Sequence, residues 1–320
     1  MSVLEALFHM LIVPLLAVDG AIAAGPGQAP TDHDRTAETG FVAIGGDLLL
    51  RRTVVRNRDS KGTVLLLHGF PETLAAWQKI APELGRDYEV HAFDWPGYGQ
   101  SSRPSRDRFS YSPKAYARVL RRYIAAAGID RSRLTIYATD IAGLPALLAA
   151  LDEPDIARRI IVGDFAPFDR SDYMYESLRS LKSAYTSERT RQALNSNRAD
   201  ILDNGFARGL GAEARFELPN GFRADIGQGW DKGGLTSADA FYHYYARFTR
   251  DQDYFEANAD RLRTPVKIVW GEKDVFIRKE MGIELARRLN ADLTVLAGIG
   301  HYPHLQAPDR TVEEIRASFR

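Results

Sequence analysis

Six short apolar runs, at residues 63–67, 88–93, 134–138, 160–162, 266–270 and 292–296, alternate along this chain with stretches of helical periodicity. Runs of that length between turn residues read as buried strands, and the segments at 72–84, 112–127, 141–151, 279–289 and 308–319 read as helices. A strand, a crossover helix and a following strand form a parallel pair, so the alternation predicts an α/β fold. Two further strands, at 41–44 and 48–55, are close enough to make a hairpin. Together they predict a mostly parallel, doubly wound, eight-stranded sheet with helices on both faces.

The alternation stops between about residues 166 and 264. Arg-, Tyr- and Asn-rich helical stretches take over there, with Gly-rich turns near 205–211 and 227–234. This reads as a helical cap at 166–264 inserted into a core made of 40–165 and 265–320, the length of 320 residues being ample for one large domain with an insertion. Residues 1–39 form an N-terminal extension. Within it the largely apolar stretch 4–18, followed by Ala21-Ile22-Ala23-Ala24 and a Gly/Pro-rich linker, resembles a cleaved export signal. Against that, Glu5 stands where a positive charge is usual and no Lys or Arg precedes the apolar run. The expectation is export to the periplasm or medium, with the cytoplasm as the alternative. The run falls short of the ~20 apolar residues a bilayer span needs, so stable membrane insertion is not expected.

Charge narrows the partners. The 42 basic and 42 acidic residues balance, and no Lys/Arg block occurs, so nothing favours nucleic acid or an anionic membrane surface. Cysteine is absent, which removes disulfides and thiolate nucleophiles. No H-E-x-x-H and no G-x-G-x-x-G after a strand occurs, so neither a metal nor a dinucleotide cofactor is called for. The implied partners are a small apolar electrophile and water, and the sequence fixes no oligomeric state.

Chemistry concentrates at Tyr137-Ala138-Thr139-Asp140-Ile141-Ala142-Gly143. A buried strand ends there and an apolar helix begins, which places Asp140 on a tight turn that Ala138, Ala142 and Gly143 make sterically feasible. An N-cap is the ordinary role of aspartate at a helix start. The strand-turn-helix setting favours a nucleophile instead: a carboxylate there can attack an sp3 carbon, displace an alkoxide or a halide, and leave an alkyl ester for water to cleave. No G-x-S-x-G occurs, which disfavours a serine esterase.

Four motifs in order carry a family resemblance: His68-Gly69-Phe70-Pro71, Asp94-Trp95-Pro96-Gly97-Tyr98-Gly99-Gln100-Ser101, the Asp140 turn, and Gly300-His301-Tyr302-Pro303-His304. From Gly40 onward the chain resembles the α/β-hydrolase fold superfamily in its aspartate-nucleophile branch, similar to epoxide hydrolases and haloalkane dehalogenases. The resemblance implies His301 as the base toward water and Asp274 as the acid that orients it, with Asp164, at the end of another strand, as rival. It also implies the backbone N–H groups of Phe70 and Ile141 as the oxyanion hole. His304 reads as a packing residue and His68 as a loop-stabilising one.

The leaving group decides between the two activities. An alkoxide benefits from an acid such as tyrosine, whereas a halide needs N–H donors and an apolar cradle. The cap is tyrosine-rich, and Phe241-Tyr242-His243-Tyr244-Tyr245-Ala246-Arg247 resembles the segment that supplies an acid in epoxide hydrolases. Tyr245 is the first candidate, Tyr244 the second, and Tyr185 the other acid; packing of the cap is the competing role for all three. Ile141 stands where haloalkane dehalogenases usually carry a halide-binding Trp, which weakens dehalogenation, although His243, Trp230 or the tyrosines remain as halide contacts. The expectation is therefore cofactor-independent opening of epoxides to diols. Haloalkane or haloacid dehalogenation and a non-catalytic small-ligand pocket are the alternatives.

Overall fold

The computed structural model describes residues 37–219 and 221–320. The apolar stretch 4–18 and nearly all of the linker after it lie outside the described residues. Among the described residues no helix is long and apolar enough to cross a membrane.

The chain opens with two strands, β1 (Ala37–Ala43) and β2 (Leu49–Val55), then β3 (Thr63–Leu67), α1 (Ile80–Leu84), β4 (Glu89–Phe93), α2 (Pro113–Ala126), β5 (Leu134–Thr139), α3 (Gly143–Asp152) and β6 (Arg159–Gly163). Helices α4 (Glu176–Lys182), α5 (Ser187–Ser196), α6 (Arg198–Asn204) and α7 (Phe222–Gly229) follow. A two-residue-per-strand hairpin, β7 (Asp231–Lys232) and β8 (Leu235–Thr236), leads into α8 (Ser237–Tyr245) and α9 (Phe248–Asn258). The core resumes with β9 (Val266–Gly271), α10 (Lys279–Leu289), β10 (Asp292–Leu296), α11 (Pro303–Gln306) and α12 (Pro308–Ala317).

Eight strands make one sheet in the order β1-β2-β4-β3-β5-β6-β9-β10. β1 and β2 pair antiparallel, β2 pairs antiparallel with β4, and every pairing from β4 to β10 is parallel. Alternation along β3 sends Leu65 and Leu67 to one face and Val64 and Leu66 to the other. The first pair joins a core with α2, α3 and α10; the second joins Trp77, Ile80 and Leu84 beside Val312 and Ile315 of α12. The doubly wound sheet expected from the sequence is the sheet observed.

Local chemistry explains the edges of these elements. Ser112 caps α2 by accepting from the Ala115 N–H, with Pro113 in the first turn where no amide donor is needed. Thr236 and Asp239 form a reciprocal capping box at the start of α8. The single helix expected over 72–84 is instead a 3-10 turn at Leu74–Trp77 and the short α1. Long-range contacts override periodicity there, because the Leu74 N–H is taken by Asp94 Oδ1 at 2.8 Å.

Two charge networks tie the insertion to the core. Arg51 on β2 donates from Nε to Asp94 Oδ2 (2.5 Å) and from its two terminal nitrogens to both oxygens of Asp225 on α7 (2.7 Å each), and Thr73 also donates to Asp225. Arg103 has no carboxylate partner among the described residues. It donates to the carbonyls of Gly97 (2.5 Å), Leu235 (2.8 Å) and Gly229. At its N-terminal end the insertion is fastened by the Tyr175 N–H to the Phe276 carbonyl (2.8 Å) and by a bridge between Met174 and Ile277.

Candidate active site

Asp140 directly follows β5 with φ at +51°, a left-handed conformation that a β-carbon makes costly. Two glycines make room. A Cβ on Gly69 would sit 2.5 Å from the Asp140 Cβ, and one on Gly143 would sit 2.4 Å from the Phe165 ring. The sharp turn and the approach of the 68–71 loop therefore both depend on those positions carrying no side chain.

Around Asp140 the structure brings together residues from four separate strand ends. The Phe70 N–H donates to Asp140 Oδ1 at 2.7 Å. His301 Nε2 lies 3.2 Å from Asp140 Oδ2, and His301 Nδ1 lies 2.8 Å from Asp274 Oδ2. Asp274 Oδ1 accepts the N–H groups of Phe276 (2.8 Å) and Ile277 (3.0 Å), which fix the acid in place. Ile141, named with Phe70 as an oxyanion donor, makes no N–H bond to the carboxylate among the described residues; its buried side chain packs beside Asp140.

Asp164, the rival acid, is buried in the same cluster. Its Oδ1 accepts from the Gly271 N–H at 2.9 Å, and its Oδ2 has no partner among the described residues. Burial and the neighbouring Asp274 charge push its pKa well above the usual carboxylate range, favouring its protonated form. Direct contact with the imidazole belongs to Asp274. Asp164, Asp274 and His301 bring one donor atom each within 4.8 Å of one another. Both His301 nitrogens lie against carboxylates, Nδ1 on Asp274 and Nε2 on Asp140, an arrangement that suits proton transfer.

Burial alone would depress the His301 imidazole, but the charges of Asp274 and Asp140 and the hydrogen bonds to both outweigh it and hold its pKa well above the ordinary value. Beneath the site His304 and Glu72 form a fully buried pair at 2.6 Å, and Glu72 Oε2 accepts from the Gly69 N–H at 2.8 Å. His68 Nδ1 lies 2.8 Å from the Gly69 carbonyl, in keeping with a loop-stabilising role.

Two spaces meet at Asp140. The larger, about 250 Å³, runs under α4, α5 and α6 and is bounded by Phe70, Phe241, Phe276, His301 and Tyr302. The smaller, about 10 Å³, lies between Asp140 and Tyr244, Tyr245 and Phe248. Both tyrosines are buried at 2% and 6% exposure, and neither hydroxyl makes a hydrogen bond among the described residues. Burial, and for both the Asp140 charge as well, raises their pKa values well above 10, so they carry protons at neutral pH.

Tyr185 is a correction. It stands 98% exposed on the turn between α4 and α5 and borders neither space, because the polar segment around it, with Ser183 and Thr186, has no apolar face to bury. His243 and Trp230, held in reserve as halide contacts, likewise border neither space. The His243 ring packs against Tyr111, and burial with the nearby Arg106 charge draws its pKa down to about 4.

Two residues escaped the reading of the sequence. Tyr302, directly after His301, donates to the Phe70 carbonyl at 3.2 Å. Tyr98, inside the Asp94-to-Ser101 motif, is fully buried, its hydroxyl has no partner among the described residues, and burial with the Asp140 charge raises its pKa. Their motifs were visible, but nothing local told which side chain would turn inward.

The profile of the alpha/beta hydrolase fold family matches residues 62–308, and the chain belongs to that family. Fluoroacetate dehalogenase of Burkholderia sp is 38% identical over 106 residues, 32% of this chain and 34% of that protein, so the match spans about a third of the relative. Epoxide hydrolase 4 of Mus musculus is 23% identical over 299 residues, covering 84% of this chain and 76% of the relative. Among solved structures, a haloalkane dehalogenase loop variant from Bradyrhizobium elkanii superposes with a TM-score of 0.72 at 17% identity, covering 88% of this chain and 96% of that one, a likeness of fold. The protein is a hydrolase of the α/β-hydrolase superfamily.

Proposed function

We propose that this hydrolase opens epoxides to vicinal diols through a covalent ester on Asp140, with residues 166–264 acting as the cap over the site. The supporting observation is the small chamber at Asp140, which Tyr244 and Tyr245 line and where the Asp140 charge acts on both phenols.

Asp140 Oδ1 rests on the Phe70 N–H, and Oδ2, 3.2 Å from His301 Nε2, is the oxygen that attacks the epoxide carbon. The Oδ2–carbon bond forms as the ring C–O bond breaks, and the alkoxide takes a proton from Tyr245, with Tyr244 as second donor. The ester carbonyl oxygen is then Oδ1, already on the Phe70 N–H, where negative charge develops when water adds to the carbonyl carbon. His301 Nε2 accepts the proton of that water, steadied by Asp274 through Nδ1. Collapse breaks the bond from Cγ to the substrate oxygen, which takes the remaining proton of the added water and leaves as the diol, restoring the carboxylate; the proton gained by His301 balances the one lost by Tyr245.

The high pKa of His301 gives this sequence its order. Before substrate arrives His301 is favoured as imidazolium beside two carboxylates. Ester formation removes the Asp140 charge, and with it part of what holds the proton; that proton passes to the Tyr245 phenolate, and the neutral imidazole is then available as base when there is an ester to cleave.

Dehalogenation is the second reading, favoured by the similarity to fluoroacetate dehalogenase. Against it, the polar residues that line the small chamber beside Asp140 are tyrosines, and Ile141 supplies an alkyl group there. Intact mass of a His301→Gln variant separates the two: a whole-epoxide adduct mapping to Asp140 is expected, whereas an alkyl adduct with bromide release from a bromoalkane alone would move the protein to the dehalogenases. No adduct on Asp140 with either electrophile, from folded protein, would refute both.

A further inference from the structure

Resting on the epoxide reading, we propose that the small chamber makes the protein selective for epoxides whose carbon substituents all lie on one face of the ring, the terminal and cis-disubstituted ones, and that it excludes trans-disubstituted epoxides. The chamber measures about 10 Å³. A void needs roughly 10–15 Å³ to hold one water, so this space takes a single oxygen-sized atom and no carbon branch. Besides Asp140, its polar lining residues are Tyr244 and Tyr245, whose phenols can donate to the ring oxygen.

The walls have no slack. Ile141 and Ile277 are 4% and 2% exposed, and Phe248 packs on both tyrosines with ring centroids 5.2 Å and 4.7 Å away. Phe165 is held between the Trp270 ring, 5.9 Å away, and the backbone of Gly143, where even a methyl would meet it. A close-packed interior of this kind resists widening by a methylene. Phe241, stacked on Phe70 at 4.1 Å and edge-on to Tyr245 at 4.9 Å, stands between the chamber and the large cavity.

In-line displacement puts the attacking oxygen, the carbon and the departing oxygen on one line. With the departing oxygen in the chamber, the carbon substituents have only the 250 Å³ cavity to enter. A terminal epoxide sends its one substituent there, and a cis epoxide sends both from the same face. A trans epoxide directs its two substituents to opposite faces, and one of them meets the Ile141–Ile277–Phe248 wall.

Isomers of equal size and hydrophobicity test this directly: diol formation from 1,2-epoxyhexane, cis-2,3-epoxyhexane and trans-2,3-epoxyhexane by the wild type and by Ile277→Ala and Ile277→Val variants. The wild type is expected to favour cis over trans by about 100-fold in kcat/KM, the scale of discrimination a hydrophobic pocket achieves for a misplaced methylene or two. The ratio should fall in the order wild type, Val, Ala as the wall recedes. Equal turnover of the cis and trans isomers by the wild type would overturn the selectivity while leaving epoxide hydrolysis standing. A ratio unchanged in both folded variants would overturn the assignment of the wall. If the wild type opens none of the three, the epoxide reading itself fails, and the selectivity with it.

Discussion

Replacing Asp140 by Asn imitates the electrostatic effect of ester formation, and its consequence for His301 can be worked out from one distance. His301 Nε2 lies 3.2 Å from Asp140 Oδ2. At an effective dielectric of about 20, unit charges at that separation interact by about 5 kcal/mol, which at 1.36 kcal/mol per pKa unit caps the fall at about four units. Both charges are spread over several atoms and the Asp140 side chain is 14% exposed, so a fall of about two units is expected. Asp274 remains in contact at 2.8 Å, which keeps the imidazole from returning to the value of a solvated histidine. NMR titration of histidine ring nitrogens in wild type and Asp140→Asn measures the difference. A shift below about half a unit would refute the idea that nucleophile charge gates the base. The sign also appears in stability. A histidine whose pKa is raised by folding stabilises fully below about pH 6.5 and loses that contribution as pH rises through its folded value. The stability difference between wild type and Asp140→Asn should therefore shrink as the pH becomes alkaline.

Tyr245→Phe should slow ester formation from an epoxide by about 100-fold while leaving ester hydrolysis nearly intact, read as the rate of adduct growth in single-turnover mass spectrometry. Gly69→Ala should cost at least about 100-fold in the same step, because its new methyl would lie 2.5 Å from the Asp140 Cβ and push the nucleophile out of line. Glu72→Gln should destabilise by about 3 kcal/mol at neutral pH in urea, the scale of breaking a buried ion pair. Burial pushes the Glu72 carboxyl up, but His304 and the Gly69 N–H overcome this and hold it below its ordinary value. Its stabilisation is thus present above about pH 4.5 and lost as pH falls through the folded value, so the deficit of the variant should fade in acid.

What was legible in the sequence was what is repeated or local. β3 and β10 fall on the residues the apolar runs indicated, and β4, β5, β6 and β9 differ by a residue or two at their ends. Asp140, His301 and Asp274 were legible because each sits in a short motif at a strand end, where the backbone alone decides the position. The tyrosines were not equally legible. Tyr245, Tyr244 and Tyr185 look alike in sequence, yet the first two pack inward from α8 and the third faces solvent, a difference set by which face of the insertion meets the sheet. Tyr98 and Tyr302 were passed over because the Asp140 charge that acts on the first and the Phe70 carbonyl that the second bonds are far away in the chain. The division between Asp274 and Asp164 likewise depends on 2.8 Å of geometry that spacing does not encode.

The helical elements between β6 and β9 are anchored very unequally. α7 and the β7–β8 hairpin are held to the core by Arg51, Asp225 and Arg103, whereas α5 and α6 bury none of their own side chains although Thr190, Leu194, Asp200 and Ile201 border the cavity. Replacing the exposed residues of these two helices typically moves stability by less than about 0.5 kcal/mol. Mutational drift can therefore reshape the entrance of the cavity at almost no thermodynamic penalty while the charge clamps preserve the reacting centre. A lineage carrying this architecture can trade one substrate for another without relearning how to fold.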